Sequence, residues 1–214
     1  MFYPMIHTIL DQLLGGVSLP VQYPAGVAQD TASGEEFVID TINRGLHDCP
    51  EQKYALFGYS QGATLMLRAV GRLSGKAADA IKSVVLVGNP YRLPGKLSNV
   101  NGTGQPGNDN NTGLFVDAAV ANNETIPQLS NELDRSGKVL DYCLEVSSSY
   151  AWQVLPSSKR RVNSVLVQGD GVCAPNPACS CQLPAGHLSY ASVASVQDTA
   201  VKHVVTRLSG PPVF

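Results

Sequence analysis

At 214 residues, with 43% hydrophobic and only 15% charged, the chain can bury one sizeable core and needs no second domain. Its formal net charge of -2 leaves no surplus of lysine and arginine to neutralise a phosphate backbone or an anionic membrane, so nucleic acid is excluded as an expected partner. The longest apolar run, residues 83–87 and its flanks, is strand-sized and far short of the roughly 20 residues a membrane crossing needs.

In chain order, Ile6, Ile9, Leu10, Leu13 and Leu14 recur at helical spacing and stop at Gly15-Gly16, which predicts a helix over 6–14. Residues 17–23 then read as a short strand. Ser33 followed three residues later by Glu36 makes a capping box, and Phe37, Ile39, Ile42 and Leu46 carry a helix to about Cys49-Pro50. Residues 54–57 form a brief apolar run into Gly58-Tyr59-Ser60-Gln61-Gly62, after which 63–73 turn helical with Leu65, Leu67, Ala69 and Val70. The unbroken apolar run 83–87 suits a parallel strand buried on both faces. Glycine, asparagine and proline dominate from Gly88 to about Thr125, predicting a long surface excursion. Residues 138–144 are the next strand candidate and 162–167 compete with them. A final helix over about 192–208 is stopped by Pro211-Pro212. This β-α-β-α order implies an α/β sheet.

Gly58-x-Ser60-x-Gly62 lies between an apolar strand and a helix, the setting in which this pattern forms a nucleophile elbow. The serine must occupy a strained turn that lifts its hydroxyl clear of the sheet, and a glycine on each side removes side chains that would collide there. The Gln61 backbone N–H, at the helix start, is placed to donate to an oxyanion. A serine hydroxyl needs a base, and the base a carboxylate. Of four histidines, His7 and His203 fall in predicted helices and His47 at a helix end before the serine. His187 lies in a loop before the final helix and follows Asp170, in the chain order Ser, Asp, His. Asp141 is a rival acid within a strand, and Glu145 a weaker one. No metal or cofactor is required for acyl transfer by these groups.

The five cysteines, Cys49, Cys143, Cys173, Cys179 and Cys181, form an odd set without the histidine spacing of a zinc cluster, so disulfides are expected. Together with N-x-Thr sequons at Asn101, Asn110 and Asn123, they suggest a secreted glycoprotein. Met1-Phe2-Tyr3-Pro4 has no signal-peptide pattern, which raises the expectation that the true N-terminus is missing.

Cys49-Pro50 followed by residues 54–63, Tyr-Ala-Leu-Phe-Gly-Tyr-Ser-Gln-Gly-Ala, resembles the cutinase and acetylxylan esterase family, with its Gly-Tyr-Ser-Gln-Gly nucleophile motif. Gly169-Asp170-Gly171-Val172-Cys173 is similar to that family's acid motif, His187-Leu188-Ser189-Tyr190 to its histidine motif, and Val85 to Pro90 adds to the likeness. The resemblance covers roughly residue 33 to the C-terminus. It implies a three-layer α/β sandwich with a mostly parallel central sheet in flavodoxin-like order, one domain over 1–214. It also implies a monomeric secreted esterase that uses Ser60, His187 and Asp170.

Two departures stand out. The family closes its acid loop with a cysteine four residues before the aspartate, where this chain has Leu166. Removing 146–168 restores the family spacing and leaves Cys143 to pair with Cys173. Those 23 residues hold the only tryptophan and the basic run Lys159-Arg160-Arg161, but no acid and no glycine. They read either as a short intron translated in frame or as a genuine family-specific loop. On either reading, 138–144 is the last sheet strand and 162–167 is a decoy. The second departure is at the front, where the family's first strand, its Arg-Gly-Ser/Thr turn with the other oxyanion donor, and the partner of Cys49 have no counterpart. A truncated gene model is the expectation, with poor folding or slow hydrolysis, since one missing oxyanion donor costs about 100 to 1,000-fold in rate. Val172 and Leu183-Pro184 would wall the site with apolar groups and favour cutin-like over acetylated-xylan substrates. A secreted binding protein that has lost catalysis is the alternative of another class.

Overall fold

The computed structural model describes residues 1–107, 110–144, 169–175 and 185–210. Helix α1 (Tyr3–Gln12) opens the chain, with Pro4 in its first turn and Met5 and Ile9 buried. Helix α2 (Ala32–Asp48), strand β1 (Tyr54–Tyr59), helix α3 (Gln61–Gly71), short helix α4 (Gly75–Ala80) and strand β2 (Ile81–Val87) follow. Then come β3 (Asn99–Val100), α5 (Val116–Ala121), α6 (Asn131–Arg135), β4 (Val139–Tyr142), the one-turn α7 (Ala185–Leu188) and α8 (Ala194–Ser209). No helix among the described residues is long and apolar enough to cross a membrane.

The four strands pair in the order β1-β2-β4-β3, every pair parallel. Alternation along β2 explains the apolar run Val84-Val85-Leu86-Val87 at its end. Val84 and Leu86 face a layer built from Val38 and Ile42 of α2 and Ala63, Leu67 and Val70 of α3. Val85 and Val87 face the opposite layer, with Met5 and Ile9 of α1 and Val196, Ala200 and Val204 of α8. The sheet is thus the middle of three layers, each face buried by helices, as parallel sheets require.

Several expectations change. Residues 17–23 form no strand: they lack a pairing neighbour, and Val17 and Leu19 are exposed. Helix α2 starts from Thr31 at the N-cap position, whose side chain makes no capping bond, and not from the box of Ser33 and Glu36. The buried Thr31 hydroxyl donates to Glu35 at 2.6 Å and accepts from Arg68 at 2.8 Å, so contacts with α3 fix the helix start. The excursion after Gly88 contains β3 and α5, which packs Val116 and Ala119 inward. The expected decoy strand at 162–167 and the segment 146–168 lie outside the described residues, as do Cys179 and Cys181.

Candidate active site

Parallel pairing puts the carboxyl ends of β1, β2 and β4 side by side, where open α/β sheets hold their sites. Tyr59 pairs with Val87 and Val87 with Tyr142, so the residues that follow, Ser60, Gly88 and Cys143, lie abreast. Two backbone bonds extend this register: Ser60 N–H donates to the Val87 carbonyl at 2.9 Å and Gly88 N–H to the Tyr142 carbonyl at 3.0 Å.

Ser60 is the N-cap of α3 and sits at φ 54°, ψ -121°. Such a left-handed setting costs a non-glycine residue about 1–3 kcal/mol and persists where the surroundings enforce it. Gly58 enforces it by close approach: a Cβ there would meet the Gly62 carbonyl oxygen, its carbon at 2.7 Å and the Ala63 α-carbon at 2.8 Å. Gly62 itself does less than its place in the motif suggests, since a Cβ would only touch the Tyr23 hydroxyl at 3.5 Å. The Gln61 and Gly62 N–H groups precede the first bond of the helix, Ala63 N–H to the Ser60 carbonyl at 2.8 Å, and such a helix start favours an anion. The Gln61 side chain faces elsewhere. Its Oε1 accepts from Gly26 N–H at 3.1 Å and its Nε2 donates to the Asp30 carbonyl at 3.4 Å, tying residues 26–30 to the elbow.

Asp170 is fully buried and reaches the site from beyond β4, its N–H donating to the Leu144 carbonyl at 2.7 Å. The disulfide Cys143–Cys173 clasps the same turn, with 5.8 Å between α-carbons. His187 Nδ1 lies 3.0 Å from each Asp170 carboxylate oxygen. Val172 N–H donates to Oδ1 at 2.8 Å and the Tyr190 hydroxyl to Oδ2 at 2.6 Å. With Nδ1 taken by the carboxylate, the other ring nitrogen is left as the proton acceptor. His187 lies in α7 rather than in the loop expected for it. Tyr59, the residue before Ser60, stacks on the imidazole with centroids 4.8 Å apart and donates to the His187 carbonyl at 2.6 Å. Burial and the Asp170 charge push the Tyr59 hydroxyl up to about 12, so it stays a donor.

The structure therefore brings Asp170 and His187 into contact and sets both against the strand ends that carry Ser60. The rival Asp141 is engaged elsewhere, accepting from Asn89 at 2.8 Å and pairing with the fully buried Arg92. Burial pushes its carboxyl up against the pull of both partners. His7 pairs with Asp11 and His47 with Asp48 on the surface, and His203 Nε2 lies 3.1 Å from the Lys138 carbonyl. Glu145, Leu183 and Pro184 fall outside the described residues.

Two contributors were not anticipated. Gly88, at φ +60°, has the His–Asp pair directly above its α-carbon: a Cβ would lie 2.6 Å from His187 Cε1 and 2.8 Å from both His187 Nδ1 and Asp170 Oδ2. Its signal was a glycine immediately after an apolar strand, readable only once the register beside Ser60 is known. Tyr190 stands in the motif His187-Leu188-Ser189-Tyr190, and no pattern in the sequence alone assigns it a role.

The sequence profile described as Cutinase matches residues 4–208. A cutinase of Hypocrea jecorina is 36% identical over 94 residues, 42% of this chain, and the match spans only 37% of that protein's length. Among solved structures, a cutinase-like protein from Cryptococcus sp. is 31% identical with a TM-score of 0.73, covering 98% of this chain and 86% of that one. The catalytic core domain of an acetyl xylan esterase from Trichoderma reesei, 16% identical with a TM-score of 0.62 over 95% of this chain and 88% of its own, shares the fold.

Proposed function

The chain belongs to the cutinase family, and we propose that it hydrolyses carboxylic esters through Ser60, His187 and Asp170. The observation that carries this reading is the buried His187–Asp170 pair, 3.0 Å apart, packed on Gly88 beside the strained Ser60. The Ser60 hydroxyl attacks the ester carbonyl while His187 Nε2 takes its proton, and Asp170 keeps the imidazole oriented. The Gln61 N–H donates to the oxyanion of the tetrahedral intermediate. Collapse breaks the bond to the leaving alkoxide, which takes the proton from the imidazolium and departs as alcohol. Water then repeats the sequence on the acyl-serine, releasing the acid and restoring the hydroxyl.

An apolar ester of the cutin type is the preferred substrate over acetylated xylan. Val172 stands beside the acid, and Leu188, next to His187, is 66% exposed. The Cys143–Cys173 disulfide supports a secreted protein. The test compares p-nitrophenyl butyrate hydrolysis with acetate release from acetylxylan. Butyrate turnover should dominate, and S60A and H187A should each lose it by at least about 1,000-fold. Turnover unaffected by S60A, or a preference for acetylxylan, would overturn the catalytic or the substrate assignment respectively.

A further inference from the structure

Tyr190 opens the 3-10 turn Tyr190–Ser192, three residues after His187, and is fully buried. Its hydroxyl donates to Asp170 Oδ2 at 2.6 Å, accepts from the Leu144 N–H at 3.0 Å and lies 3.5 Å from Cys173 Sγ. One phenol oxygen thus joins the acid, the chain leaving β4 and the disulfide. Its ring meets Tyr59 edge-on at 6.4 Å, and Tyr59 in turn stacks on the imidazole.

We propose that Tyr190 is a positioning residue that sets the rotation of the Asp170 carboxylate and, through it, the orientation of His187. This rests on the serine esterase reading. A carboxylate turns about a single bond, and one donor leaves it free to pivot on the oxygen it holds. Here Val172 N–H holds Oδ1 and Tyr190 holds Oδ2, and two donors on opposite oxygens fix the plane. The result is visible at the imidazole, whose Nδ1 is equidistant from both oxygens. With Asp170 and Tyr190 both fully buried, solvent has no ready access to replace the phenol. Burial and the charge of Asp170 raise the Tyr190 hydroxyl well above its ordinary value, and Arg92 opposes this only as a smaller influence, so the phenol remains a donor. The charged and titratable groups facing it are Asp170, His187, Tyr59 and Arg92.

Y190F removes the donor and keeps the ring. Butyrate ester hydrolysis should show kcat about 10-fold lower with KM within about 2-fold of the unaltered protein, because binding is untouched and orientation is lost. The His187 Nδ1–H resonance, followed by NMR on labelled histidine, should change its chemical shift, because the carboxylate that accepts from it has turned. Y142F is the control: Tyr142 is equally buried, and its hydroxyl lies 2.7 Å from the Thr199 hydroxyl, away from the acid. It should lower the unfolding midpoint and leave kcat and the His187 Nδ1–H resonance unchanged. Wild-type kcat and resonance in Y190F, or a loss of stability alone as in Y142F, would overturn the proposal. The NMR measurement needs no turnover, so failure of the unaltered protein to hydrolyse esters would defeat the esterase reading and still leave this one decided.

Discussion

At the scale of single residues, the site depends on missing atoms as much as on present ones. Gly88 leaves room for the imidazole and carboxylate that a methyl group would strike, and its φ of +60° adds strain for any other residue. G88A should therefore lower kcat/KM for butyrate esters by about 100-fold, the usual scale for displacing a catalytic group by an ångström, while the protein stays folded by circular dichroism. Tyr59 gives a prediction in pH. Its folded value of about 12 lies above the unfolded value of 10.0, so the unfolded chain releases this proton first. Stability is then fully present below pH 10 and falls as pH rises towards 12. Urea midpoints should decline across that window, and Y59F should reduce the slope by one proton. An unchanged slope would contradict the burial assigned to Tyr59. The strained serine turn with the close approach at Gly58, and the Asp170–His187 pair, were legible because the proposed chemistry demands those residue types in that order. Gly88 and Tyr190 were not, because what they touch is decided by strand register and by a turn distant in sequence.

At the scale of elements, the longer strands and long helices were readable from their apolar patterns, since both faces of β2 and one face of each of α2 and α8 are buried, and α3 is buried nearly all round. What failed was local signal without a partner. Residues 17–23 had strand-like composition, but a strand exists only through its neighbour's hydrogen bonds. Ser33 and Glu36 had the capping pattern, yet Arg68 and Glu35 secured Thr31 instead. Two-residue β3 was too short to carry a period. The acid turn bears on the segment 146–168. If it is absent, Asp170 follows Leu144 by three residues, and the observed Asp170 N–H to Leu144 carbonyl bond is that of an ordinary β-turn. We therefore predict that deleting 146–168 preserves the Cys143–Cys173 disulfide and, with that disulfide reduced in both forms, raises stability by on the order of 2 kcal/mol, the loop-closure cost of about three doublings in length. Equilibrium urea unfolding of the two forms measures it. A deletion variant that fails to form the disulfide would show that the segment is an integral loop.

At the scale of the whole molecule, three parallel strands each end at the same place with one part of the proposed site: β1 with Ser60, β2 with Gly88, and β4 with the turn that holds Asp170. Helix α8 packs against the sheet and steadies the short segment that carries His187 and Tyr190. This convergence follows from the βα order that was readable in the chain, whereas the three-layer assignment became specific through the motifs and their resemblance to the family. The most direct test is to treat the protein with a fluorophosphonate and map the adduct by mass spectrometry, alongside H187A and D170N. The account predicts a single adduct on Ser60, formed at least about 100-fold more slowly in either variant. An adduct on any other residue, or labelling of Ser60 at the same rate without His187, would contradict it.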